Sequence, residues 1–325
     1  VARTHLSKRL GDLVEGVPGL RTLVWLLEAS LIGSLWLVSY CLTPTAASRL
    51  GSLFVANVGP LIGRNKTLLG NIEVMYPELS DRERRRLARD VWANFGAVLA
   101  EYPHLRFISH ARVEIEMTEA AKRVVESREP ALYMAGHLAN WEIVAACIAN
   151  LGIRLSVVYS PQQNPFVERM IQFHRRSLGC EFITKGDAFR EMIQALGQGR
   201  SLGLLPDQRA DSGPALPFFG RGAVTTVIPA RLAHRAGCSI VPIRAERLPG
   251  CRFRITFDDP IDPRAALKSG EASERTTSEF LARLEGWIRS HPDQWLVVKR
   301  RWPKDEAATP AENLADSPRP DRLAS

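Results

Sequence analysis

The sequence predicts an α/β protein: a largely parallel sheet covered by helices, entered through an apolar N-terminal helix. Three observations lead there. The 325 residues are 45% hydrophobic and 24% charged, the balance of a globular chain with ample material for a core. From Glu129 onward short apolar runs, read as buried strands, alternate with helical patterns. Upstream, one long stretch is almost free of charge.

That stretch comes first. Between Thr22 and Ser48 the only formal charge is Glu28. The charge-free apolar run from Ala29 to Thr43 is shorter than the roughly 20 residues a bilayer span needs; including Glu28 near one end makes it long enough, at some energetic cost. Arg3, Lys8, Arg9 and Arg21 precede it, as in a signal peptide. The apolar run starts late and no convincing A-x-A site follows, so it reads as a retained anchor. A second apolar stretch, Leu50 to Leu69, is broken by glycines and Pro60 and suits the membrane interface. Ser80 then N-caps a helix with Glu83 at the capping-box position, followed by Arg82, Arg84, Arg85, Arg86 and Arg89. Beside an anchor, this basic run suits anionic lipid. It lacks interleaved aromatics that would stack bases, which argues against nucleic acid.

In the body, strands are expected at Ala131–Gly136, Leu155–Ser160, Cys180–Thr184, Ser201–Pro206, Ser239–Arg244 and Phe253–Phe257. Helices are expected through Ile148, then over Phe166–Leu178, Asp187–Leu196, Thr225–Ala236 and Ser273–Ser290. Residues 304–325, rich in Ala, Pro, Asp and Ser, read as a disordered tail. The chain carries 43 Lys and Arg against 35 Asp and Glu, a net charge of +8. The tail holds three of the bases and five of the acids, so the rest is more basic still and suits an anionic partner. The five cysteines are odd in number, with no C-x-x-C pair, which disfavours a disulfide framework or a zinc site. His137, His174 and His234 lack zinc-ligand spacing, and neither a metal nor a cofactor is expected. There is no Walker A loop and no G-x-G-x-x-G.

Ligands in such folds sit beyond the carboxyl ends of the strands. After the first strand stands Gly136-His137-Leu138-Ala139-Asn140-Trp141-Glu142. His137 in the turn can act as a general base, with a carboxylate fixing its tautomer. Glu142, five residues on, can share its site only if His137 lies outside the helix proper. At another strand end Asp207-Gln208-Arg209 follows Pro206, where a catalytic or substrate-orienting carboxylate would stand. Pro217-Phe218-Phe219-Gly220 leads through Ala223 to Thr225, an aromatic loop whose apolar wall suits a hydrocarbon chain. No G-x-S-x-G elbow suggests a serine nucleophile.

These pieces, with Asn71-Ile, Tyr76-Pro77-Glu78-Leu79-Ser80, Asn164-Pro165, Arg175-Arg176-x-x-Gly179 and Pro292-x-Gln294-Trp295 through Arg300-Arg301-Trp302, occur in one order. In that order they resemble the bacterial lipid A biosynthesis late (lauroyl/myristoyl) acyltransferase family, which is related to phosphatidylinositol-mannoside and lysophospholipid acyltransferases. The resemblance implies a glycerolipid-acyltransferase-like fold on the cytoplasmic face of the bacterial inner membrane. Residues 1–70 would form the anchoring region and 71–303 the acyltransferase domain. It implies transfer of an acyl chain from acyl carrier protein, or acyl-CoA in relatives, to a lipid hydroxyl. His137 would be the base, Glu142 the acidic member of an H-x4-D/E motif, and Asp207 the rival partner of His137. Asn140, Arg176, Gln208, Phe218, Phe219 and Thr225 would meet substrate, and Arg175 with Arg176 an acidic carrier. Backbone amides or Arg176 would steady the oxyanion. Leu138 and Ala139 stand where many members have Phe and Gly, and Leu296-Val-Val replaces an aromatic-rich run, which opens the identity of the acceptor. A lysophospholipid or other glycolipid acyltransferase and a membrane thioesterase or lipase are the alternatives.

Overall fold

A computed structural model describes residues 18–184, 188–263 and 269–303. The basic residues Arg3, Lys8 and Arg9 and the tail from Lys304 lie outside the described residues.

The first described element is α1 (Pro18–Tyr40). Among the described residues, one helix is long and apolar enough to cross a membrane, Gly19–Tyr40 within α1. A three-residue link leads to α2 (Pro44–Val58), N-capped by the Thr43 hydroxyl with Pro44 in its first turn. The stretch from Leu50 to Leu69 breaks where glycine and Pro60 were expected to break it: Gly59 caps the end of α2, Pro60 follows in a short 3-10 turn, and Gly63 lies in the turn beyond. Gly51 is the exception and sits inside α2. It lets α2 press on α4 (Asp81–Glu101), where a Cβ on Gly51 would lie 2.2 Å from the Gly96 carbonyl oxygen. The expected boundary at residue 70 falls inside α3 (Asn65–Met75). Val55, Leu68 and Ile72 share one core with the sheet residues Leu132 and Leu202. At the start of α4 the Ser80–Glu83 capping box forms in both directions.

After α5 (Leu105–Ala111) comes β1 (Val113–Met117), a strand the apolar pattern does not announce because it reads Val-Glu-Ile-Glu-Met at a sheet edge. Then come α6 (Glu119–Ser127), β2 (Leu132–Met134), α7 (Trp141–Asn150), β3 (Leu155–Tyr159), α8 (Pro165–Arg175) and β4 (Glu181–Thr184). The second half holds α9 (Ala188–Gly197), β5 (Ser201–Leu204), a hairpin of β6 (Ala215–Phe218) and β7 (Arg221–Val224), and α10 (Ile228–Ala236). It closes with β8 (Ile240–Leu248), β9 (Arg252–Phe257) and α11 (Ser269–Ser290). The expected helix over Thr225–Ala236 starts three residues late, with Pro229 in its first turn. The Phe218 segment read as a loop is half of the hairpin.

The seven-stranded sheet runs β1-β9-β8-β2-β5-β3-β4, and every neighbouring pair is parallel except β8 with β9. The largely parallel, helix-covered α/β architecture is therefore present. Strand side chains alternate between faces: Leu132 and Met134 of β2 enter one core with Met192, Leu232 and Phe280. Tyr133 enters the other, with Ile108, Ile143 and Cys147. Burial on both faces is why β2 reads as one continuous apolar run.

Candidate active site

β2 and β5 are hydrogen-bonded parallel neighbours at the centre of the sheet, in register from Leu132 with Leu202 to Met134 with Leu204. The turns past their carboxyl ends are brought side by side, and these turns carry His137 and Asp207. Gly136 lets α11 pack close against the His137 turn, because a Cβ there would meet the Leu284 side chain at 2.8 Å. His137 Nδ1 lies 2.7 Å from Asp207 Oδ1, and the His137 backbone amide donates to Asp207 Oδ2 at 2.9 Å. Trp295 Nε1 donates to the same Oδ2 at 2.8 Å. Asp207 is fully buried while a quarter of the His137 side chain meets solvent. The pair thus has a closed end and an open end.

Burial alone would raise the Asp207 carboxyl. The charge on His137, the ring and backbone hydrogen bonds from His137, and the Trp295 indole outweigh it and hold the group below the usual carboxylate range. Asp207 is therefore ionised at neutral pH and accepts the Nδ1 proton of His137. That fixes the tautomer and leaves Nε2 as the acceptor. The Trp141 ring lies beside the imidazole, 5.2 Å between centroids.

A strap from the C-terminal segment holds the turn. The Ala139 amide donates to the Gln294 carbonyl and the Leu296 amide to the His137 carbonyl, so Leu138 and Trp295 bridge as an antiparallel pair. Ala139 sits at φ 50°, a left-handed conformation that favours glycine. Asn71 pins the strap from the other side by donating to the Val297 and Lys299 carbonyls and accepting from the Arg301 amide. Sequence reasoning places Trp295 within a motif but gives it no role. The signal was its place at the head of the apolar run Trp295-Leu296-Val297-Val298 in a segment otherwise rich in polar groups.

The structure does not bring Glu142 to His137. Asn140 is the N-cap of α7, its side chain accepting from the Glu142 amide, so His137 lies in the turn and Glu142 in the first helical turn, facing α4 and α8. Both Glu142 oxygens are engaged there. Arg175 Nε donates to Oε2 at 2.9 Å and Nη2 to Oε1 at 2.7 Å, and the Tyr102 hydroxyl donates to Oε1 at 2.9 Å. Burial, then the Glu142 charge, pushes the Tyr102 hydroxyl well above its ordinary value. Arg175, expected at a carrier surface, is held in this buried pair.

The expected substrate contacts divide as well. Asn140 is fully buried, its amide donating to Glu101 at 2.8 Å, and Glu101 pairs in turn with Arg247. Phe218 and Phe219 are buried. Phe218 stacks on Trp302 and meets Trp295 edge-on, each at 5.8 Å. Thr225 is buried, accepting from Arg301 Nη2 at 2.7 Å. Burial pushes the Arg301 guanidinium down to about 10, and the Asp207 charge opposes that fall. Asn140, Phe218, Phe219 and Thr225 are thus buried in packing and hydrogen-bond networks of the body. Gln208, half-buried, donates to the Leu296 carbonyl at 3.1 Å. Arg176, in the turn after α8, is exposed. Among the described residues no cluster of His, Cys, Asp or Glu has the makings of a metal site.

The fold is thus an α/β sheet with a histidine–carboxylate pair at the carboxyl ends of adjacent parallel strands, the place where ligands of such folds sit. The chain's family is also shown: the family described as bacterial lipid A biosynthesis acyltransferase matches residues 18–304. The chain belongs to that family and is an acyltransferase. It is similar to the lipid A biosynthesis lauroyltransferase of Escherichia coli (strain K12), 26% identical over 83% of this chain and 89% of that one. It is also similar to the lipid A biosynthesis myristoyltransferase of the same organism, 24% identical over 75% and 78%. Among solved structures, the 1-acyl-sn-glycerophosphate acyltransferase PlsC from Thermotoga maritima covers 74% of this chain and 94% of its own, at 14% identity and a TM-score of 0.36.

Proposed function

We propose that this acyltransferase moves a fatty acyl chain from an acyl thioester, carried by acyl carrier protein, to a hydroxyl of a lipid A precursor or related glycolipid. The site works at the cytoplasmic face of a bacterial inner membrane. The observation that carries the reading is the 2.7 Å contact between the partly exposed His137 and the buried Asp207; the family sets the reaction. A hydroxyl near pH 7 is a poor nucleophile, so a base must take its proton as it attacks. Nε2 of His137 takes that proton while the hydroxyl oxygen bonds to the thioester carbonyl carbon. The tetrahedral intermediate collapses, the C–S bond breaks, and the sulfur leaves with the proton now on the imidazole. Asp207 steadies the imidazolium and keeps the ring turned. No covalent enzyme intermediate is needed. The net charge of +8 favours an acidic carrier through long-range attraction. With Arg175 engaged by Glu142, exposed Arg176 is the member of that pair left for the contact.

The test is purified His137→Ala assayed with an acyl-loaded carrier and a lipid A precursor. Loss of about a hundredfold to ten-thousandfold in turnover is expected, with the fold retained by circular dichroism. Near-normal transfer would refute the assignment. Thioester hydrolysis by the wild type without any acceptor product would instead favour a thioesterase.

A further inference from the structure

α1 does not stand away from the body as a free anchor. Trp25, Ala29, Ile32, Trp36 and Ser39, spaced four and three residues apart, form the less exposed side of the helix. That is one continuous face over almost its full length. The contacts run along the same face. Asn164, at the start of α8, donates to the Trp25 carbonyl at 2.8 Å and to Glu28 at 3.0 Å. Gly33 faces Met170, whose Cε would lie 3.5 Å from a Cβ there. Trp36 meets the His174 ring at 4.6 Å, stacks on Tyr102 and donates to the Leu99 carbonyl at 2.7 Å. His104 Nε2 closes the series 2.9 Å from the Ser39 carbonyl. Residues 25, 28, 33 and 36 meet 164, 170 and 174 in rising order, so α1 and α8 run parallel, side by side.

This arrangement is incompatible with α1 crossing a bilayer while the body stays in water. The attached stretch from Trp25 to Ser39 is about 21 Å long at 1.5 Å per residue, and the hydrocarbon core is about 30 Å thick. Setting α1 upright would carry α8 into the hydrocarbon, with Glu168, Arg169 and the buried Arg175–Glu142 pair. Charges at that depth are costly to bury in hydrocarbon. The opposite side of α1 carries exposed Leu23, Leu27, Leu31 and Val38, and α2 presents a second exposed apolar set, Leu50, Leu53, Phe54 and Val58. Exposed Arg49 on α2, exposed Arg64 and Lys66 just beyond it, and exposed Arg82, Arg85, Arg86 and Arg89 on α4 suit anionic headgroups beside such a surface.

We propose that α1 lies in the plane of one leaflet, its Leu23–Leu27–Leu31–Val38 side in lipid and its Trp25–Trp36 side on the body, so that the protein enters the membrane from one side only. This rests on the membrane placement in the proposed function. The test places nitroxide labels at Leu23→Cys, Leu31→Cys and Val38→Cys of the full chain, with Cys41→Ser and Cys180→Ser to remove the more accessible native thiols. The protein is reconstituted in phosphatidylethanolamine–phosphatidylglycerol vesicles, and label depth is read from oxygen and nickel accessibility. The three depths should agree within about 5 Å, all in the leaflet on the body's side. Depths that run progressively through the midplane, spanning about 22 Å from 23 to 38, would overturn the in-plane placement and leave the membrane reading intact. Fully aqueous accessibility at all three, with the protein recovered in the supernatant, would overturn both.

Discussion

The two ends of the turn between β2 and α7 handle a buried carboxylate in opposite ways. At one end Asp207 meets His137, an imidazole whose side chain is a quarter exposed. At the other, five residues along, Glu142 meets Arg175, a permanent cation, with side chains 5% and 14% exposed. The chemical type of the acid is nearly the same at both ends. What separates a group able to move a proton from one that only holds elements together is the partner: imidazole can give and take a proton at pH 7, guanidinium cannot. The spacing His137-x4-Glu142 is thus met by two sites, not one.

Substitution at each end breaks or sharpens that contrast. Asp207→Asn keeps the shape but offers His137 a neutral partner and lets the ring turn. Turnover should fall about a hundredfold or more, with KM little changed. Glu142→Gln should act on stability instead. Removing one partner of a buried ion pair costs about 3 kcal/mol, read as a lower midpoint in denaturant, while turnover of the folded fraction stays within a few-fold of wild type. Trp295→Phe keeps the ring that packs on Phe218 and deletes only the donor to Asp207 Oδ2. A fall of about tenfold in turnover without a change in KM is expected, since a hydrogen bond to a charged group contributes about 1.5 kcal/mol or more. The acid limb of the pH profile should also move to higher pH. Asp207 is held below its ordinary value partly by that indole, and with the donor gone its charge is lost at a less acidic pH as the pH falls. A profile identical to wild type would show that the indole only packs. The smallest effect belongs to Ala139→Gly. Relief of a left-handed alanine, worth about 1 kcal/mol, is partly offset by the freedom glycine gains in the unfolded chain. Stability should rise by a few tenths of a kcal/mol, and a clear loss would mean that the Ala139 methyl packs rather than strains.

Much of the fold was legible because β2, β3, β5 and the first four residues of β8 form short, mostly apolar runs, and the Ser80–Glu83 box marked the start of α4. β1 was not legible, since Glu114 and Glu116 of that edge strand face Arg252 and Arg254 and break the apolar run. The hairpin at Phe218 turns on Phe219, at φ 54°, and Gly220, and its residues looked like a loop because glycine and proline punctuate both. His137 and Asp207 could each be found from their place after a strand. Which carboxylate pairs with His137, Glu142 or Asp207, stayed open, because it depends on β5 inserting between β2 and β3, a choice made by the whole sheet. The roles of Asn140, Phe218 and Thr225 as buried supports were hidden for the same reason: burial is a property of the assembled layers.

The central claim is that Asp207, not Glu142, holds the His137 proton. The most direct measurement is the nitrogen and proton magnetic resonance of the His137 imidazole in the wild type and the two carboxylate variants. A strongly hydrogen-bonded Nδ1 proton, with Nε2 unprotonated above the histidine titration, should appear in wild type and in Glu142→Gln and vanish in Asp207→Asn. A signal that survives Asp207→Asn and is lost in Glu142→Gln would contradict the account.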